Sequence, residues 1–454
     1  MHRKGTMVLA VAAALGLPQA AGAQTQDELR ALREQVRQLD KRVQEAEATA
    51  QQAAVQASSR PAGENALNPA VSVILNGIYS NLSQDPNTFR INGFVPTLGE
   101  VGPGVRGFSL GESELALAAN IDHNFRGTLI ASITPEDSIG VEEGYIQTLS
   151  LSYGFTIKAG RFFSGVGYQN QIHAHAWDFT DAPLANKVFL GNQLNEDGIQ
   201  LKWVAPTETY FDVGVEVGRG RQFPAAAGTA GPRNKNGVGS GNFFAHVGGD
   251  LGTSVAWQTG VSYLSTSPQD RTFTDSDSTG TLVTNSFTGT SRLWVLDGIL
   301  KWAPNQNPTY TNFKLQGEYF RRRENGDLTY NAANTAGAFS GPQTSGFTSA
   351  QSGWYLQGVY QFIPMWRVGY RYDKLNAGTT SIGVVESAAI AAADIPILSA
   401  YNPTRQTMMV DWSPSEFSRI RLQAASDKSR SDATDHQVFL QYIVSLGAHG
   451  AHKF

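Results

Sequence analysis

The chain of 454 residues contains no cysteine, which excludes disulfide staples, thiolate nucleophiles and thiolate metal sites. Beyond its first 23 residues it has no run of about 18 apolar residues, so the sequence offers no membrane-spanning helix. An excess of positive charge is also missing, with 35 Lys and Arg against 39 Asp and Glu, which argues against nucleic acid as a partner. No Ser/His/Asp spacing and no paired carboxylates stand out, so the sequence reads as a non-enzyme.

What is present begins with a basic opening (His2, Arg3, Lys4), the apolar run VLAVAAALGL and the small residues Ala21, Gly22 and Ala23. This pattern predicts a secretory signal peptide over residues 1–23. Without it, 33 basic residues face 39 acidic ones. In residues 24–57, Leu29, Leu32, Val36, Leu39, Val43, Ala46, Ala50 and Ala53 recur at alternating spacings of three and four. That seam predicts a helical coiled coil, with Thr25 and Glu28 as its capping box and a periplasmic location. Either copies of the chain bury the seam together or it remains a solvated tether. Residues 58–70, with Pro61, Gly63 and Pro69, read as a linker.

From residue 71 onward the apolar residues alternate with a period of two, the signature of strands. The alternation predicts strands at 71–80, 108–122, 124–134, 142–152, 154–163, 196–204, 208–218, 242–251, 253–264, 291–303, 310–322, 353–363, 365–373, 404–413, 417–428 and 435–446. Short turns alternate with longer loops, and the count is even. The expected fold is all-β: a transmembrane antiparallel barrel of about 16 strands over residues 71–454, with the short turns on the periplasmic side. Trp203, Trp302, Trp366 and Trp412 each lie beside a short turn, in phase with the apolar residues, and predict an interfacial girdle.

The opposite phase should line a lumen. It carries Arg126, Lys158, Lys202, Lys301, Lys314, Arg367, Arg371, Arg419 and Arg421, together with Glu112, Glu114, Asp212, Glu216, Asp297, Glu318, Asp373 and Asp411. A polar interior at this strand number implies an aqueous channel. The paired arginines of residues 367–371 and 419–421 either form a cationic face for anions or pair with neighbouring acids in the wall.

The connection at 164–195 contains QNQIHAHAWDFTDAPLANKVFLGNQ, too apolar for a solvated tip. It either folds into the lumen as a constriction, with His173, His175, Trp177, Asp178 and Asp181 at the narrows, or caps the outer end. In an extended segment His173 and His175 share a face, and with Asp178 they could hold zinc; hydrogen bonding within the constriction is the alternative use. No other cofactor is suggested.

The last strand alternates Val438, Leu440, Tyr442, Val444 and Leu446 outward, and Phe454 ends the chain in phase with them. An amphipathic final strand ending in Phe resembles the signal by which the barrel-assembly machinery recognises outer-membrane proteins. The stretch AGRFFSGVGYQNQ resembles porins of the phosphate-selective O and P type. HAHAWDF, DWSPSEFSRIRLQ and FLQYIVSLGAHGAHKF are similar to outer-membrane proteins labelled zinc-regulated TonB-dependent receptors. The resemblance to porins implies a homotrimer in the lipid of a Gram-negative outer membrane, passing small hydrophilic or ionic solutes. The receptor label implies a zinc-linked uptake protein, and it demands a plug of roughly 100 residues inside a 22-stranded barrel, for which residues 24–70 leave no room. A structural envelope tether is a third reading.

Overall fold

The computed structural model describes residues 69–97, 101–134, 138–226, 236–339 and 341–447. The signal peptide, the coiled coil, nearly all of the linker and Phe454 fall outside the described residues.

Among the described residues eighteen strands form one sheet. In chain order they are β1 Ala70–Leu82, β2 Gly107–Leu110, β3 Ser113–Asn120, β4 Phe125–Ile133, β5 Ile139–Thr148, β6 Phe155–Phe163, β7 Asn195–Val204, β8 Tyr210–Gly218 and β9 Ser240–Leu251. There follow β10 Val255–Thr266, β11 Arg271–Ser276, β12 Leu282–Trp302, β13 Asn312–Tyr330, β14 Gln343–Ile363, β15 Trp366–Ile382, β16 Thr404–Ser415, β17 Ser418–Lys428 and β18 Asp435–Gly447. The sheet closes where β18 pairs antiparallel with β1, from Ser72↔Gly447 to Leu82↔Gln437.

Two strands do not add to the wall. β2 and β3 both pair with β1 and are one strand interrupted at Gly111 and Glu112. β11 pairs with the outer end of β12, beyond Ser291 where pairing with β10 stops. The wall is therefore a closed antiparallel barrel of sixteen strands, each on a span that the alternation predicts. The difference lies in length: β12 to β15 run for 17 to 21 residues, well past the predicted spans of 291–303, 310–322, 353–363 and 365–373. Their outer halves carry polar residues on both faces, so hydrophobic phase vanishes from the sequence there although hydrogen-bonded pairing continues.

The outward face is apolar in a band. On β14, Trp354, Leu356, Tyr360 and Phe362 are exposed while Tyr355, Gln357 and Val359 are buried. Trp366 and Trp412 face each other across β15 and β16 with ring centroids 5.9 Å apart. Trp203 packs against Phe155 and Phe211 at the same end. At the other end Tyr263 meets Trp294 and Trp354 meets Tyr372, a second girdle that the sequence reading did not include. Arg321 of β13, paired with Trp294, and Arg323 beyond it point outward and are exposed. Among the described residues no helix is long and apolar enough to cross a membrane.

The interior is less uniformly polar than expected. Leu264, Leu293, Val295, Phe320 and Leu375 point inward and pack around a helix, α1 Leu184–Leu190, that lies inside the barrel. A second apolar cluster, including Phe223, Phe273, Phe287, Phe347, Ile395 and Ile397, joins the long loops and strand extensions.

The outward band sets a test. Leu440, exposed and in phase with Val438 and Tyr442, should tolerate arginine poorly: Leu440→Arg is expected to lower folding free energy in lipid vesicles by up to about 2–4 kcal/mol. Arg323→Gln, beyond the girdle, should change it by less than about 0.5 kcal/mol. Equal effects of the two, measured by urea unfolding in vesicles, would contradict this placement of the bilayer.

Candidate functional site

The segment 164–194, between β6 and β7, runs through the barrel and is bonded to inward-facing side chains of strands on every side. Its start is fixed by Glu216 of β8, which accepts from the Gly165 amide at 2.8 Å, and by Ser262 of β10, which accepts from the Gly167 amide at 3.1 Å. Glu318 of β13 accepts from the amides of Tyr168, at 2.5 Å, and Gln169, at 3.0 Å. Gly167 has φ of 68°, and a Cβ there would stand 2.6 Å from the Glu318 carboxylate; only glycine lets the turn approach that acid.

Farther along, Asp178 is clasped by Lys314 of β13 and by Arg367 of β15, the latter at 3.2 Å. Asp181 meets Arg371 at 3.1 Å, Lys187 at 3.0 Å and Arg405 of β16. The Trp177 carbonyl accepts from Arg421 at 2.8 Å and from Arg419 at 3.2 Å. Asp373 accepts from the Leu184 amide at 2.9 Å, starting α1, and Gly191, with φ of 63°, ends it in the left-handed conformation. Burial alone would raise the Asp181 carboxyl, but Arg405, Lys187 and Arg371 outweigh it and hold the group well below the usual carboxylate range. Asp178 is likewise held low, burial being outweighed by Lys314 and Arg367. Lys187, buried beside the same acid, is pushed down because desolvation exceeds Asp181's attraction.

The arginines of residues 367–371 and 419–421 are thus tied up. Arg367 bonds Asp411 twice, at 2.9 and 2.5 Å, and Arg371 bonds Asp373 at 3.0 Å. Of the alternatives open in the sequence, Arg367, Arg371 and Arg421 pair with neighbouring acids, while Arg419 bonds the Trp177 carbonyl. Arg271, Arg322, Arg371, Arg405 and Arg421 are fully buried, which requires such partners, since an unpaired buried charge is strongly destabilising.

His173 and His175 go elsewhere. His173 caps a single 3-10 turn, Ala174–Ala176, and His175 lies within it, the two rings 5.8 Å apart and nearly parallel. His175 Nδ1 lies 2.6 Å from Glu114 of β3. His173 lies between Glu143 of β5, at 3.1 Å from Nε2, and two oxygens beside Nδ1: Glu142 at 3.3 Å and Glu114 at 3.4 Å. Burial disfavours its protonated form, yet these three carboxylates raise its pKa well above the ordinary value. Asp178 does not join them as a metal ligand, because Lys314 and Arg367 already occupy its oxygens on another side of the lumen.

Of the remaining wall residues, Lys158 is buried with its ammonium 4.4 Å from the centre of the Tyr145 ring. Glu112 sits at the break between β2 and β3, and Arg126 is exposed at the start of β4. Sequence reasoning missed Glu142, Glu143 and Arg405. Arg405 shares the phase of Asp411 and could have been found that way. Glu142 could not, for it occupies a bulge: Ile130 pairs with Glu143 and Ala131 with Val141, so β5 carries an extra residue and both glutamates reach inward.

Between the inserted segment and the short-turn end lies a cavity of about 850 Å³. Tyr168, Gln171 and Ile172 form one side, and Lys202, Asp212, His246, Lys301, Lys314 and Arg367 line the wall.

No family model matches the chain. A protein of Aquifex aeolicus, described as an uncharacterized protein, is 32% identical over 367 residues, which cover 77% of this chain and 70% of that one. Solved structures with a similar course include OmpT of Vibrio cholerae (TM-score 0.49, 9% identity, 86% of this chain and 100% of that one). They also include the outer membrane channel DcaP of Acinetobacter baumannii (TM-score 0.48, 12% identity, 83% and 97%). An anion-selective porin from Comamonas acidovorans has a TM-score of 0.47 at 10% identity, covering 83% and 99%.

Two outcomes are expected of the acidic anchors. Asp181→Ala leaves Arg371 and Arg405 buried without their shared partner and should destabilise the protein by about 3–5 kcal/mol, measured by denaturant unfolding in detergent. Because the folded-state pKa values of Asp178 and Asp181 are depressed, their stabilisation is present above the unfolded value and is lost only as pH falls through the folded one. Trp177 emission should therefore hold steady as pH drops through about 4, where a free Asp protonates; a transition centred there would refute the pairing.

Proposed function

This chain belongs to the family of the Aquifex aeolicus protein, and on that footing we propose that it is an outer-membrane channel for small hydrophilic or ionic solutes. The segment 164–194 is its constriction. The observation that carries this reading is the segment's course: it crosses the lumen of a closed barrel and is held by ionic side chains from opposite walls. A strand wall with a lipid-facing apolar band between two aromatic girdles belongs in a bilayer. An aqueous cavity lined by charged groups below the crossing gives solutes a place to gather.

The finer readings divide. Phosphate selectivity is disfavoured by the pairing of Arg367, Arg371 and Arg421 with acids, which leaves a mixed rather than cationic lining. An energy-coupled receptor is disfavoured by strand number, since such receptors use 22 strands around a plug. For assembly, the heptads of residues 24–57 support association of copies, and the porin-like sequence stretches favour a homotrimer in which each chain contributes a channel.

The test is single-channel recording of the purified protein in a planar bilayer. Unaltered protein should give small discrete steps, arriving in threes if trimers insert, and deletion of residues 171–181 should enlarge each step several-fold. Well-folded protein that passes no current, with or without the deletion, would end the channel reading.

A further inference from the structure

The five residues around His173 are assembled in a manner that the channel reading does not require. Glu114, Glu142 and Glu143 bring three carboxylates to one imidazole, and Glu114 and Glu143 are almost wholly buried. The acid oxygens and the His173 nitrogen of the group Glu114, Glu142 and His173 lie within 4.8 Å of one another. Glu142 Oε2 and His173 Nδ1 are buried and make no hydrogen bond, although each faces the other at 3.3 Å. A buried acceptor left without a donor costs about 1–3 kcal/mol or more when charged; a divalent ion between these atoms would bind both, in place of the proton that the three acids favour on His173.

The groups behind them are already oriented. Glu143 holds His173 from Nε2 at 3.1 Å and itself receives the Phe163 amide at 3.1 Å, which leaves Nδ1 to face Glu114 and Glu142. His175 holds the other oxygen of Glu114 at 2.6 Å. An imidazole backed by a carboxylate, beside two carboxylate oxygens, is the ligand chemistry of a metal site with an oriented outer layer. One nitrogen and two oxygens suit zinc or a neighbouring first-row divalent ion, with water completing the shell, whereas calcium and magnesium prefer oxygen alone. The bulge that turns Glu142 inward is a device for re-aiming a side chain, and bulges concentrate beside functional sites.

We propose that Glu114, Glu142 and His173 bind a divalent transition-metal ion, with zinc as the fitting ion, and that Glu143 and His175 position those ligands. The ion fastens the inserted segment to β3 and β5, strands other than those that carry its arginine anchors. It thereby couples metal supply to how firmly the lumen is filled.

The test is calorimetric titration of zinc chloride into the full-length protein refolded in detergent, with cobalt absorption as a second readout. One ion per chain should bind, and bound cobalt should show visible bands that zinc abolishes. Glu142→Gln, nearly isosteric, and His173→Ala should each weaken binding at least tenfold, and Glu143→Gln roughly tenfold. His436→Gln, on the outer surface, should leave it unchanged, as should replacement of both His449 and His452 in the tail. Folding of each variant is read from its heat-dependent gel migration, and if His173→Ala fails to fold, Glu142→Gln and the cobalt spectrum decide. Absence of saturable binding, full affinity in Glu142→Gln, or affinity that follows the tail histidines would each overturn the proposal. Since no current is measured, the result is independent of whether the barrel conducts.

Discussion

Every backbone N–H and C=O inside a bilayer must find its partner within the protein, because no water is there to serve instead. Here that demand is met by the β1–β18 ladder, which turns a sixteen-strand sheet into a ring without an edge. Closure then dictates the rest. With both faces of the sheet committed, alternate residues belong to lipid or to lumen, and any charge in the spanning part of a strand has to face inward. The wall therefore holds glutamates, aspartates and fully buried arginines in a confined space, and those charges need counter-groups.

The inserted segment supplies them, with two chemistries at two places. Around residues 177–187 it offers carboxylates and carbonyls to a wall rich in cations, namely Lys314, Arg367, Arg371, Arg405, Arg419 and Arg421. Around residues 173–175 it offers imidazoles to Glu114, Glu142 and Glu143. Docking it the other way round would set acid against acid, so its orientation is fixed by charge as well as by shape. Between these places α1 contributes apolar side chains to a core that includes Phe320 and Leu375, and this packing gives the insertion a hydrophobic driving force as well.

Much of this was legible in the sequence because the signals are local. Strand number, phase, the tryptophans Trp203, Trp366 and Trp412 at the short-turn end and the anomalous apolarity of residues 164–195 all follow from a period of two and from composition. The outer halves of β12 to β15 were not legible, since a strand standing in water on one face and against loops on the other loses its hydrophobic contrast. Nor could phase predict that Leu264, Leu293 and Phe320 line the interior: an apolar residue in the inward phase reads as noise until the helix it packs against is known to be there. The pairing of arginines with acids was legible as one of two options, but not which option holds, because each partner lies on a different strand.

The two histidines show how far phase carries. H-x-H in an extended strand would present both rings side by side, and the nearest acid in sequence, Asp178, would complete the set. The chain instead enters a 3-10 turn after His173, with His175 inside it, and Asp178 turns to Lys314 and Arg367. The acids that do meet the histidines are 30 to 61 residues earlier in the chain, and one of them stands in the wrong phase. In a regular strand Glu142 and Glu143 would face opposite sides; one extra residue in β5 brings both inward. Were Glu142 outward, a charge would face lipid near the top of β5 and His173 would have two carboxylates instead of three. The bulge therefore works against the simplest strand geometry and lengthens the list of charges that the lumen must neutralise. A feature that raises the electrostatic burden of an already acidic corner calls for a cation there, whether the protonated His173 that the three acids favour or the metal ion proposed above.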